Sequence, residues 1–128
     1  MSNYLTGSSA TRLAELTEQG LWTNETLHGL LTSCVVKTPT ALALADQPNK
    51  QDLTGTSPLR LSYTELDNAS DNLALTLLEK NIGHGDIILV QLPNIVELAV
   101  CYYGASKIGA VISPIPVQYS LHELTNIQ

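Results

Sequence analysis

An α/β fold, with helices flanking a partial parallel sheet and a short antiparallel hairpin beside it, is predicted by three features of this chain. The first is Ile87-Ile88-Leu89-Val90-Gln91-Leu92, a nearly continuous run of branched apolar residues, the pattern of a strand covered on both faces in a parallel sheet. The second is the order that follows: an apolar stretch over 95–108 and a further short apolar run over 110–113. Strand, helix, strand in that succession implies a right-handed crossover between parallel neighbours. The third is a pair of capping boxes, Ser62 with Glu65 and Ser120 with Glu123, in which hydroxyl and carboxylate each satisfy a free backbone donor at a helix start.

Taken in order, residues 1–9 are polar and are expected to be disordered. Residues 10–19 are helix formers with Leu13 and Leu16 three apart, and Gly20 can supply a left-handed stop. Thr26 can cap a second helix whose Leu27, Leu30, Leu31, Cys34 and Val35 recur at helical spacing until Pro39 forbids continuation. Short apolar runs at 41–45 and 59–61 predict the two strands of the hairpin. Between them, residues 47–58 are rich in Gln, Asn, Asp, Gly, Ser and Pro and read as a mobile loop, longer than most hairpin connections.

Ser62 then opens a helix predicted to run from Tyr63 to about Asn81, with Leu66, Ala69, Leu73, Ala74, Leu77 and Leu78 in one stripe and Gly83 ending it. Gly85-Asp86 turns the chain into the strand at Ile87, which Pro93 closes. Asn94 is the expected cap of the next helix, which is apolar almost all round and so must be mostly buried; Glu97 near its start and Lys107 near its end suit the helix dipole. Gly109 stops it. Ser120 begins a last helix that the end of the chain is expected to cut after roughly two turns.

With 128 residues, 44% of them hydrophobic and 14% charged, the chain is sized for a single folded unit. Six basic residues (Arg12, Lys37, Lys50, Arg60, Lys80, Lys107) are scattered among twelve acidic ones for a net charge of −6, which argues against a nucleic-acid partner. The first dozen residues lack the apolar core of a signal peptide. No apolar run approaches the roughly 20 residues that span a bilayer, so no membrane span and a cytoplasmic location are expected. Cys34 and Cys101 fall in separate apolar segments, where reduced thiols behave as small hydrophobes.

Chemistry-bearing patterns are few. His28, His84 and His122, considered with Cys34, Cys101 or Asp86, show no metal-ligand spacing. Ser62, Ser70 and Ser113 lack the strained elbow of a hydrolase nucleophile. Gly83-x-Gly85 ends a helix and precedes a strand, the reverse of a dinucleotide-binding turn. Gly104 reads as a point of close packing. No catalytic, cofactor-binding or metal-ligating residue is therefore assigned.

Two segments carry a resemblance. Leu61-Ser62-Tyr63-Thr64-Glu65-Leu66, followed about forty residues later by Ser106-Lys107-Ile108-Gly109-Ala110-Val111-Ile112-Ser113-Pro114, resembles the first two core motifs of the AMP-forming acid ligases, the superfamily of acyl- and aryl-CoA synthetases and adenylation domains. Gly20-Leu21-Trp22, Asp71-Asn72-Leu73-Ala74, Ile82-Gly83-His84-Gly85-Asp86, Val90-Gln91-Leu92-Pro93-Asn94 and Glu97-Leu98 continue the pattern. It is similar to the aryl-acid branch, with the 2,3-dihydroxybenzoate-AMP ligases and cyclohexanecarboxylate-CoA ligase-like proteins. Pro114-Ile115-Pro116-Val117 departs from it where many relatives have a polar residue before the second proline.

The resemblance implies that residues 1–128 are one N-terminal subdomain of an AMP-binding domain, ending before the phosphate loop and inactive alone. The parent reaction would join ATP and a carboxylic acid into an acyl-adenylate, then pass the acyl group to the thiol of CoA or of a phosphopantetheine carrier, with Mg as the ATP counter-ion. The partner would be the remainder of the ligase domain. The alternative is a stand-alone interaction or oligomerisation module that associates through an exposed sheet edge.

Overall fold

The structure, a computed structural model, describes residues 9–125. Helices α1 (Ala10–Glu18) and α2 (Leu27–Lys37) precede a hairpin of β1 (Leu42–Ala45) and β2 (Arg60–Ser62), whose connection contains α3 (Lys50–Thr54). Then come α4 (Tyr63–Glu79), β3 (Ile87–Val90), α5 (Val96–Ile108), β4 (Val111–Pro114) and α6 (Leu121–Thr125). The fold is α/β, as the sequence predicts: β1 and β2 pair antiparallel, with an irregularity between Leu42 and Leu44, and β3 and β4 pair parallel. The parallel register runs from Ile87 opposite Val111 to Val90 opposite Pro114, and the Ile115 amide extends it by donating to the Val90 carbonyl at 2.9 Å.

Helices α4 and α5 pack side by side, α2 lies against both, the hairpin rests on α4, and β4 on α5. Leu31, Leu66, Ala74, Val90, Ile95, Val96 and Ala105 form the buried apolar core. Close approach of α4 and α5 requires small residues. A Cβ on Gly104 would sit 3.1 Å from the Ser70 carbonyl oxygen and from Leu73 Cδ2. The buried Ser70 satisfies its own hydroxyl by donating to the Leu66 carbonyl at 2.7 Å, so a polar residue sits within the apolar stripe without an unmet donor. Leu78, at the end of the predicted stripe, is exposed instead.

The caps follow the sequence in most places. Ser62 and Glu65 form the full capping box on α4, Thr26 caps α2 by accepting from the Gly29 amide, and the Ser120 amide donates to Glu123 at 2.8 Å. Of the 1–9 segment only Ser9 lies among the described residues, and it caps α1.

Four expectations are corrected. Gly83 does not end α4: Asn81 does, with φ of 60°. The amides of Asn81 and Ile82 donate back to the carbonyls of Leu78 and Leu77, the paired bonds of a Schellman stop, where Asn is the usual substitute for Gly. Asn94 is not the cap of α5; Ile95 holds that position, without a side-chain bond of its own. The 47–58 connection is not irregular throughout, since it carries α3. Finally, β3 is not covered on both faces: Val90 is buried, but Ile87 and Leu89 stand 70% and 47% exposed on the other side.

Candidate functional site

Beyond the C-terminal end of β3, where open α/β sheets receive ligands, three charged side chains from three elements converge. Asp46 follows directly on β1, Lys50 is the first residue of α3, and Glu97 lies in the first turn of α5. The Lys50 ammonium donates to Asp46 Oδ2 at 2.7 Å and to both Glu97 oxygens at 2.6 and 2.7 Å. The side chains of Asp46 and Lys50 are wholly shielded from solvent, whereas that of Glu97 keeps 41% of its surface, so the cluster is enclosed but shallow. Asp46 is also the missing cap of α5: its Oδ1 accepts from the Val96 amide at 2.7 Å, and its Oδ2 from the Leu59 amide at 2.8 Å.

These contacts decide the charge states. Burial works to raise the Asp46 carboxyl, but hydrogen bonds from Lys50, Leu59 and Val96, with the charge of Lys50, outweigh it and hold the group below its ordinary range. Burial likewise works against the Lys50 ammonium, and the bonds and charges of Asp46 and Glu97 overcome it and raise its pKa. Asp46 and Lys50 are therefore both ionised at neutral pH.

A helix N-terminus at a strand end is a natural anion site, but the Val96 amide is already taken by Asp46, and Glu97 places a further negative charge in the same turn. The cation that the described residues bring here, Lys50, is saturated by carboxylates. The residues at this position do not fit a phosphate, nor do they leave an unneutralised carboxylate pair for Mg. Among the described residues, no group of three His, Cys, Asp or Glu is arranged to hold a metal ion.

Two openings flank the cluster. A cleft of about 240 Å³ lies between the end of β1 and α5, bordered by Leu44, Asp46, Ile95 and Tyr102. A wider groove of about 590 Å³ runs between α3 and the end of β3, bordered by Leu53, Thr54, Leu92, Pro93, Glu97 and Val117. Gln91 shapes its far wall by donating through Nε2 to the carbonyls of Pro116 at 3.1 Å and Tyr119 at 2.8 Å.

The residues weighed in the sequence for chemistry lie elsewhere and do structural work. His28 Nδ1 is 3.0 Å from the Ser106 hydroxyl, joining α2 to α5. The His84 ring lies against Gly109, where φ is +72° and a Cβ would collide with it. Lys107 spans from α5 to α4, bonding Asp67 Oδ1 at 2.6 Å and Asp71 Oδ1 at 2.5 Å. Cys34 and Cys101 are free and half-buried; burial, then the charge of Glu97, raises the Cys101 thiol and keeps it protonated. Sequence reasoning passed over Asp46 and counted Lys50 only as one of six scattered cations. The available signal was their spacing of four, that of an ion pair on a helical turn, hidden within a loop-like composition.

The profile of the AMP-binding enzyme family matches residues 35–128. The chain belongs to that family. Among AMP-binding relatives, the salicyl-AMP ligase / salicyl-S-ArCP synthetase of Mycobacterium tuberculosis (strain ATCC 25618 / H37Rv) is 34% identical over 102 residues, 80% of this chain and 17% of that protein. The medium-chain fatty-acid–CoA ligase of Escherichia coli (strain K12) is 36% identical over 104 residues, 81% of this chain and 17% of the ligase. The apo structure of MbtA from Mycobacterium smegmatis superimposes with a TM-score of 0.76 at 31% identity, covering 95% of this chain and 21% of that one. The chain thus spans less than a fifth of the length of these curated AMP-binding relatives.

Proposed function

We propose that this chain is the N-terminal subdomain of an AMP-forming carboxylic acid ligase and supplies scaffold rather than catalytic groups. The observation that supports the reading is the occupied start of α5: the position where a strand-to-helix turn would grip phosphate is closed by Asp46 and Lys50, in keeping with nucleotide contacts made by residues outside this segment. In the parent reaction a carboxylate oxygen attacks the α-phosphorus of ATP and pyrophosphate leaves. The thiol of CoA or of a carrier protein then attacks the acyl carbon, and AMP leaves. ATP is the parent's co-substrate and Mg its counter-ion. Family membership and the names of the relatives support an aryl or fatty acid as substrate, and a cytoplasmic location belongs to the same reading. No helix among the described residues is long and apolar enough to cross a membrane.

The natural partner is the rest of the ligase domain, laid against the uncovered face of Ile87 and Leu89. ATP–pyrophosphate exchange tests the proposal, with salicylate and a medium-chain fatty acid as the acids. Purified residues 1–128 should give no exchange with either, and activity from this segment alone would refute the scaffold role.

The same exposed face favours a second reading, a self-associating module. Light scattering separates the two: a concentration-dependent dimer supports it, and a monomer at high concentration counts against it.

A further inference from the structure

Helix α3 is attached in an unusual way. Its one apolar side chain of any size, Leu53, is 57% exposed, while its one fully buried side chain is that of Lys50. An apolar anchor would hold by burial, but this helix is held by an ammonium group clasped between Asp46 and Glu97. The base of the excursion is closed independently of that clasp. The Asp46 amide donates to the Leu59 carbonyl at 2.9 Å, the Leu59 amide returns a bond to Asp46 Oδ2 at 2.8 Å, and Asp46 Oδ1 is fixed to Val96.

Asn49 precedes α3 without a side-chain cap, and Gly55 follows it in the left-handed region at φ of 75°. Glu97, the far half of the clasp, keeps 41% of its side-chain surface, so water can replace Lys50 there without opening the core. The body of the fold would keep its packing if α3 swung away, and α3 is a wall of the 590 Å³ groove at the end of β3.

From these observations we propose that α3 is an ion-latched strap: it lies closed while Lys50 bonds both Asp46 and Glu97, and swings out from the groove on the closed base at Asp46 and Leu59 when loss of the Glu97 contact lets both bonds break. The latch is local because Asp46 moves with neither state. Its bonds to Leu59 and Val96 do not involve α3.

Lys50 reports the opening itself, since trypsin cuts after lysine only where the backbone is accessible. In the protein carrying Glu97→Gln, cleavage between Lys50 and Gln51 should speed up by about tenfold, with no matching rise at Lys107, which the α4–α5 clasp protects. Unchanged cleavage at Lys50, or a rise at Lys50 that only follows Lys107, overturns the strap. Amide exchange of the unsubstituted protein tests it without any variant. At five residues α3 is too short to stay helical once released, so the amides of Asp52 and Gly55, bonded only to Asn49 and Gln51 of the same segment, should exchange through a shared low-energy opening while those of Asp46 and Leu59 stay protected. Exchange of all four together overturns it.

Discussion

Asp46 and Val96 are 50 residues apart, yet Asp46 Oδ1 accepts the Val96 amide at 2.7 Å and serves as the N-terminal cap of α5. The helix that crosses between the two parallel strands is thus started by a side chain from the antiparallel hairpin. One carboxylate joins the two small sheets, and its second oxygen holds Lys50 and Leu59. Ser62 caps α4 from within its own sequence, so the fold meets the same problem of unpaired amides both locally and over long range.

Asp46→Ala should accordingly cost more than Ser62→Ala. Losing the Ser62 hydroxyl removes one local cap, worth about 1 kcal/mol. Losing the Asp46 carboxylate strands two amides and half of the support of a buried ammonium, and such groups resist burial when left without partners. Urea denaturation of both variants should give midpoints in the order unsubstituted, Ser62→Ala, Asp46→Ala, with the last gap the widest. A smaller shift for Asp46→Ala than for Ser62→Ala contradicts the long-range cap.

That difference also explains what could be read in advance. The α/β class, the strand-helix-strand unit and the capping box at Ser62 depend on period and on contacts within a few residues, and all were legible. Asn94 was the wrong cap because the right one is brought in by tertiary structure, which spacing cannot report. Asn81 displaced Gly83 because Asn tolerates the left-handed conformation without announcing it as Gly does. The exposure of Ile87 and Leu89 was invisible to composition, which records that a strand is apolar and not whether anything covers it. The charged cluster was missed for a similar reason: α3 is held by an ion pair, so it leaves no apolar stripe to detect.

The pH profile of stability should have two separate arms. Asp46 is held below its ordinary value of 3.8, so its contribution is complete above that value and disappears as the pH falls through the folded-state pKa. Lys107 is raised above 10.5: burial opposes the charge, but hydrogen bonds to Asp67 and Asp71 prevail. Its contribution is complete below 10.5 and is lost as the pH rises through the folded-state value. The stability gap between the unsubstituted protein and Asp46→Asn should therefore close in acid below pH 3.8. The gap to Lys107→Met should be open at neutral pH and close in alkali. Denaturation series at fixed ionic strength check both, and a gap that stays constant across either arm removes that group from the account.

Gly104→Val should destabilise the α4–α5 interface by about 1 to 3 kcal/mol. Relieving the glycine favours the helix by about 1 kcal/mol for alanine and by less for β-branched valine, but the new Cβ would meet the Ser70 carbonyl oxygen at 3.1 Å. That oxygen belongs to the backbone of α4 and can yield only if the helices separate. Gly104→Ala should lose less than Gly104→Val, and thermal unfolding of the pair gives the ranking. A more stable valine variant would mean that the two helices have slack the contact distances deny.

Ile87 and Leu89 supply the test that connects packing to assembly. They are two apart on β3, so they share one face, and that face is exposed at 70% and 47%. A double substitution, Ile87→Lys with Leu89→Lys, removes apolar surface that contributes little to this segment's own core, so residues 1–128 should unfold within about 0.5 kcal/mol of the unsubstituted chain. The same change in a full-length ligase should be severe, because two charges would be forced against whatever covers the sheet. Measuring both, by denaturation of the segment and by soluble yield and pyrophosphate exchange of the longer protein, separates a covered scaffold face from a free surface. Equal tolerance in both proteins would mean that the face stays open to water in the assembled enzyme, and the rest of the ligase would have to dock elsewhere on this fold.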